Sequence, residues 1–213
     1  MNNPKTYRHL IDQYSIISDQ MTRKRLLVIL REMETVLLNN IEGEIVEFGC
    51  YVGTTSLFIE RLLQATKQGD RLLHVYDSFD GLPDKSIEDA SVAGSAFKAG
   101  ELKATKRTLI KNFKQAGLRP PRIHRDWFYD LKDSALPSTI AFAFLDGDFY
   151  GSIMDSLKLV WPRLSPNGTI VIDDYDTSNL PGVTRAVKEF FKDEGIQIRR
   201  EQDLAIIYKS EHK

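Results

Sequence analysis

Cysteine is almost absent from this 213-residue chain, where Cys50 stands alone. That excludes an intramolecular disulfide and a cysteine-rich zinc site, and it suits a reducing cytoplasm. Net charge is just as scarce. The 29 Lys+Arg nearly cancel the 30 Asp+Glu to leave −1, so the chain lacks the overall positive field that accompanies nucleic-acid binding. No run approaches the roughly 20 apolar residues a membrane span needs. The segment Met1–Leu10 carries Lys5, Arg8 and His9 with no apolar stretch, unlike an export signal. Internal repeats and low-complexity tracts are missing too. These absences lead to the expectation of a cytoplasmic protein with neither nucleic acid nor membrane as partner. The length suits one sizeable α/β domain with a single active site.

What is present is periodicity. Leu26, Leu27, Leu30, Met33, Leu37 and Leu38 recur at three- and four-residue intervals among charged positions, which predicts helix from about Tyr7 to Asn39. This gives an N-terminal helical extension over 1–40 and a main domain over 41–213. Beyond it, short apolar runs end in acids or glycines and alternate with helical segments, the pattern of a parallel sheet with crossover helices. The strand runs are Glu44–Gly49, Arg71–Asp77, Arg122–His124, Ile140–Asp146 and Thr169–Asp173. The expected helices are Thr54–Thr66, Lys103–Ala116, Ser152–Trp161 and Gly182–Asp193. Gln197–Arg200 and Leu204–Lys209 lie too close together for a crossover, so they should close the sheet as an antiparallel hairpin. The Gly/Ser/Ala-containing stretch Pro83–Gly100 is a candidate lid.

Ligands of open parallel sheets bind beyond the carboxyl ends of the strands, near the reversal of strand order. The first strand ends Glu47-Phe48-Gly49-Cys50-Tyr51-Val52-Gly53-Thr54. Its glycines are four apart, unlike the G-x-G-x-x-G turn that seats a pyrophosphate. A carboxylate at Glu47 would repel pyrophosphate and attract, directly or through water, a ligand bearing ammonium and sulfonium charges. S-adenosylmethionine has both. The second strand delivers Asp77-Ser78, with the acid where ribose hydroxyls are bound in such folds. Glu47, Gly49, Tyr51, Gly53, Thr54, Asp77 and Ser78 are therefore candidate cofactor contacts, against the plainer reading that Glu47 and Asp77 cap turns. Asp126 and Trp127 after the third strand could meet an adenine, though Trp127 suits the core equally well. Cys50 reads as a small turn residue, since no histidine lies nearby to make it a nucleophile.

The fourth strand ends Leu145-Asp146-Gly147-Asp148 and the fifth ends Ile172-Asp173-Asp174. If those ends are neighbours, several carboxylates converge, and crowded like charges need a proton or a cation. Oxygen donors without clustered cysteine or histidine favour magnesium, calcium or manganese over zinc, and Mg2+ is the ion expected here. Asp146, Asp173 and Asp174 are the expected metal residues. A hydroxyl becomes a methyl acceptor when its proton is lost or its pKa lowered, and a chelating metal orients and acidifies it. Asp146 is the candidate proton acceptor. Taken singly, each acidic turn reads more simply as a solvated turn.

These residues resemble the macrocin O-methyltransferase family. The matching stretches are Val46-Glu47-Phe48-Gly49 through Gly53, Tyr76-Asp77-Ser78-Phe79-Asp80-Gly81-Leu82-Pro83, Leu145-Asp146-Gly147-Asp148-Phe149-Tyr150, and Leu164-Ser165-Pro166-Asn167-Gly168 through Ile172-Asp173-Asp174-Tyr175. The resemblance implies an α/β Rossmann-like class I methyltransferase sheet, mostly parallel with a C-terminal antiparallel hairpin, plus N-terminal helices. It also implies S-adenosylmethionine, and magnesium at the positions matching Asp146, Asp173 and Asp174. Catechol-type O-methyltransferases place a lysine three residues after the first metal aspartate, where this chain has Phe149.

The expected reaction is Mg2+-dependent transfer of methyl to a hydroxyl on a small molecule such as a sugar, glycoside or other natural product, with a catechol-type acceptor as the alternative. A nicotinamide-dependent oxidoreductase is argued against by Glu47 and the glycine spacing. A nucleic-acid-binding module would rest on Lys98, Lys103, Lys106, Arg107, Lys111 and Lys114, which read more simply as a solvated helix face. Apolar positions on the N-terminal helices are compatible with a homodimer or higher homo-oligomer.

Overall fold

The computed structural model describes residues 5–91 and 96–210. Its strands are β1 (Glu44–Phe48), β2 (Leu73–Asp77), β3 (Arg122–Arg125), β4 (Ile140–Leu145), β5 (Leu164–Ile172), β6 (Arg199–Glu201) and β7 (Leu204–Tyr208). They form one sheet in the order β3-β2-β1-β4-β5-β7-β6. The first five strands run parallel, and β7 pairs antiparallel with β5 and β6. The order reverses between β1 and β4, so the crevice for a ligand opens there.

Strand residues alternate between two cores. Ile45, Val75, Phe142, Phe144 and Val171 face the helices α1 (Thr6–Gln13), α2 (Arg23–Leu38), α3 (Thr54–Ala65) and α4 (Lys106–Gln115). Val46, Phe48, Tyr76, Ala143, Leu145 and Ile172 face α5 (Tyr150–Val160) and α6 (Pro181–Phe190). Both faces are covered, which is why β4 is an unbroken apolar run buried along its whole length. Each such Phe or Leu contributes about 1.5–3 kcal/mol by leaving water.

The N-terminal helix is interrupted. The chain leaves α1 at Tyr14 with extended geometry, φ −115 and ψ 143, and α2 restarts only after Thr22, whose hydroxyl accepts the Arg25 N–H at 3.2 Å. Ser15, Ser18 and Asp19 between them favour turns over helix, so the single helix expected over Tyr7–Asn39 is two. Both share one hydrophobic cluster with α3 and the sheet. Strand β5 begins at Leu164 instead of Thr169. Its pairing with β4 shifts between Ile140 and Phe142, so Ser165–Gly168 form an irregular lead-in, pinned where Asn167 N–H donates to the Lys209 carbonyl at 2.7 Å.

Of the expected lid, residues 92–95 lie outside the described residues. The described part is anchored by Asp89, which accepts from Ser86 and caps α5 by accepting the Tyr150 N–H at 2.7 Å. Lys106, Arg107, Lys111 and Lys114 lie on the exposed face of α4 while Leu109 and Phe113 are buried on the other, the amphipathic arrangement of a surface helix. No helix among the described residues is long and apolar enough to cross a membrane.

Candidate active site

Backbone hydrogen bonds continue past the strand ends and stitch the rim together. Asp126 N–H donates to the Asp77 carbonyl, Gly49 N–H to Tyr76, Asp146 N–H to Phe48, and Asp173 N–H to Leu145, at 2.8–3.2 Å. The loops after β1, β2, β4 and β5 then turn through a non-glycine residue with positive φ: Tyr51 at 49°, Phe79 at 57°, Asp148 at 59° and Asp174 at 54°. Such conformations store strain and cluster where a site must be held in one geometry. Asp tolerates this region better than most residues, which favours aspartate at the last two positions. At the reversal point Gly49 has φ 83, and a Cβ there would lie 2.0 Å from the Asp146 carbonyl oxygen, so the β1 and β4 loops meet only because this residue has no side chain.

A cavity of about 670 Å³ opens on this rim, well within the range of small-molecule sites. Among the expected cofactor contacts, Gly49, Tyr51, Asp77, Ser78 and Trp127 line it. Trp127 stacks on Tyr129, with centroids 6.2 Å apart and planes 5° from parallel.

Glu47, Gly53, Thr54 and Asp126 do not line the cavity. Glu47 is buried with its carboxylate turned into α3, where it accepts a short hydrogen bond from Ser56 Oγ. Burial, with a smaller contribution from Asp77, pushes it up to about 8. Gly53 lets α4 approach, since a Cβ there would meet Leu109 Cδ1 at 2.2 Å. Thr54 opens α3, whose N-cap Gly53 supplies no side-chain cap, and its buried Oγ1 has no hydrogen-bond partner. Asp126 is exposed and accepts the Trp127 N–H at 3.0 Å.

Asp77 is already busy. It accepts N–H bonds from Cys50 at 2.9 Å and Tyr51 at 3.3 Å on one oxygen, and from Phe79 at 2.7 Å on the other. A carboxylate has about four lone-pair sites, so roughly one remains for a ligand hydroxyl. The turn-capping role thus leaves room in this residue for the expected ligand role.

Next to this half lie Asp146, Asp148, Asp173 and Asp174, all on the cavity wall. One oxygen each of Asp146, Asp148 and Asp174 falls within a mutual 4.8 Å, a spacing that fits oxygen ligands of a hard divalent cation. Asp148 is a member that the strand-end pattern does not assign, although the Asp146-Gly147-Asp148 spacing hints at it. Asp173 is buried and faces Arg25 of α2, whose Nη1 lies 3.2 Å from its Oδ1, while Arg25 Nη2 sits 3.0 Å from Asp174 Oδ1. Burial, then their neighbours' charges, lifts Asp148 to about 8 and Asp173 to about 7, with Asp146 also raised well above the usual range. Burial raises Asp174 as well, and Arg25 pulls it back. The cavity wall also carries Gln20, Thr177, Ser178 and Asn179, with Leu82, Phe97 and Phe149 as apolar members.

The sequence profile described as Macrocin-O-methyltransferase (TylF) matches residues 5–207. Mycinamicin III 3''-O-methyltransferase of Micromonospora griseorubida is 31% identical over 192 residues, covering 87% of this chain and 74% of that protein. An 8-demethyl-8-(2,3-dimethoxy-alpha-L-rhamnosyl)-tetracenomycin-C 4'-O-methyltransferase of Streptomyces olivaceus is 34% identical over 148 residues, 67% of this chain and 57% of that one. The solved structure of the O-methyltransferase NovP superposes with a TM-score of 0.77 at 28% identity, covering 87% of this chain and 79% of that one.

Proposed function

We propose that this chain, which belongs to the macrocin-O-methyltransferase family and so is an S-adenosylmethionine-dependent methyltransferase, methylates a hydroxyl of a sugar, glycoside or similar natural product with Mg2+ at the acidic rim. The observation carrying the metal is the gathering of oxygens from Asp146, Asp148 and Asp174 beside the cofactor half of one cavity. The donor set fits: it is all oxygen, crowded and anionic, and hard cations neutralise such sets. Asp146 and Asp174 would hold the ion, joined by Asp173 as the resemblance implies or by Asp148 as the spacing suggests. Bound there, a divalent cation supplies orientation and acidification of the acceptor hydroxyl.

The chain's own groups would do the rest. Asp77 and Ser78 would take the ribose end of the cofactor, and Trp127 would face its base. Gln20, Thr177, Ser178 and Asn179, on the wall of the same cavity, would meet acceptor hydroxyls. Fixing acceptor and sulfonium in line is worth several powers of ten in rate. The proton lost by the hydroxyl would pass to Asp146 or to Asp148 beside it. No side-chain or backbone donor bonds the carboxylate of either among the described residues.

The tetracenomycin relative is named for a rhamnosyl-bearing compound, and the hydroxyl and amide side chains on the cavity wall favour the same acceptor class here. A homo-oligomer is also proposed, from Ile17 and Leu38 left exposed on the N-terminal segment. The acceptor reading is tested with labelled S-adenosylmethionine, Mg2+ and a panel of glycosides, free sugars and catechols. A methyl ether on a sugar hydroxyl is expected, and turnover of catechols alone would reject it.

A further inference from the structure

Helix α2 begins Arg23-Lys24-Arg25 with no acidic residue in its first turn. Three cations at the positive end of a helix oppose its dipole, so local helix stability does not explain them. Partners elsewhere account for two of them. Arg23 pairs with Asp12 and with the Ile11 carbonyl at 2.7 Å. Arg25 reaches across 148 positions in sequence to the end of β5.

Its fork divides between two carboxylates. Nη1 lies 3.2 and 3.4 Å from the two oxygens of Asp173, and Nη2 lies 3.0 Å from Asp174 Oδ1. The nine aspartates on the cavity wall face Arg25 as the one basic side chain among the described residues there. Its backbone has little freedom to retreat, because α2 is fastened further along. Arg31 pairs with Glu201 at 2.6 Å, and Glu32 accepts from Arg199 and the Tyr208 hydroxyl, each at 2.6 Å. The guanidinium therefore stands as a fixed positive charge beside the oxygens that would hold the metal.

We propose that Arg25 is the built-in counter-cation of the acidic rim, a positioning residue that holds Asp173 and Asp174 together from α2 and competes with the divalent cation for them. The N-terminal extension would thereby set the metal affinity of the site. The proposal rests on the metal reading above. It also gives that extension a purpose, which is to keep the rim assembled before metal and acceptor arrive, at the expense of tight metal binding.

The sign of one measurement separates this role from a merely structural one. The hold of Arg25 on the two carboxylates shows in the stability of the metal-free protein, and its competing charge shows in metal affinity. A residue that only braced the rim would, when lost, leave that affinity equal or weaker. Even at water-like dielectric, a unit charge about 6 Å from a dication changes its affinity on the order of tenfold.

The experiment is calorimetric titration of Mn2+ into the full chain, alongside thermal unfolding in chelator and in Mn2+, for wild type, Arg25→Gln, Arg25→Met and Arg25→Lys. Met keeps the bulk over α2 should Gln fold poorly. Gln and Met should bind Mn2+ about tenfold more tightly, unfold at lower temperature in chelator, and regain more on adding Mn2+. Lys, which keeps the charge, should bind like wild type. Equal or weaker binding by both charge-removing variants overturns the proposal while leaving the metal reading intact. Wild type that takes up no Mn2+ overturns both.

Discussion

At the ends of β1 and β2 the carboxylates are answered by donors of their own loops and helices. Glu47 is bonded to Ser56, and Asp77 takes three backbone N–H groups. At the ends of β4 and β5, Asp146, Asp148, Asp173 and Asp174 crowd one another, with Arg25 as the cation brought to them. The same residue type thus does different work a strand or two apart. Where the chain satisfies its acids, they shape a loop and leave a little hydrogen-bonding capacity for a neutral hydroxyl. Where it does not, they form the site proposed for a cation. The cofactor half is therefore preorganised, and the metal half is electrostatically incomplete.

The contrast breaks most visibly in Asp146→Asn and Asp174→Ala. Each should lower methyl transfer by about 100-fold or more, as removing a preorganised electrostatic contact does, while calorimetry finds S-adenosylhomocysteine affinity within about threefold of wild type. Parallel losses in both would show that the two halves are not separable.

Asp77→Ala should do the opposite. Orphaning three loop amides while removing a ligand contact should cost roughly 2–3 kcal/mol in stability and weaken S-adenosylhomocysteine binding by about tenfold or more. An unaltered affinity would remove Asp77 from the cofactor site.

Glu47→Gln sharpens the comparison through pH. The folded protein holds this proton up to about 8, well above the ordinary glutamate value an unfolded chain would show. The stability that this proton provides is full below that ordinary value and is lost as pH rises through 8. The Gln variant has nothing to lose there, so it should gain on wild type by roughly 3–4 kcal/mol between pH 5 and 8. Parallel unfolding curves across that window would contradict the burial argument.

The smallest effect concerns the acceptor. A wall with nine aspartates and one arginine should turn over uncharged glycosides better than phosphate-bearing sugars, by about tenfold in kcat/KM at low salt and less at high salt. A preference for the phosphorylated acceptor would mean that the bound cation dominates the field.

Much of this was legible in the sequence because parallel strands advertise themselves. Short apolar runs ending in Glu47, Asp77, Asp146 and Asp173 place four acids on one rim as soon as the strand order is assumed. The side chains' directions were not legible. Glu47 and Asp77 both follow the logic of strand ends, yet one turns into α3 and the other into the cavity. Asp148 was hidden by φ 59, a left-handed turn that brings it back beside Asp146 when an extended reading leads it away. Arg25 gave no signal, since its meaning lies 148 residues away and locally it is one more charge on a helix. The break between α1 and α2 escaped because Ile16 and Ile17 keep the apolar rhythm going while Ser15, Ser18 and Asp19 end the helix.

The account turns on whether the acidic half needs a cation to work. With labelled S-adenosylmethionine and a glycoside acceptor, chelator should abolish methyl transfer, Mg2+ in excess should restore it, and S-adenosylhomocysteine should bind in both conditions. Undiminished transfer in excess chelator would contradict it.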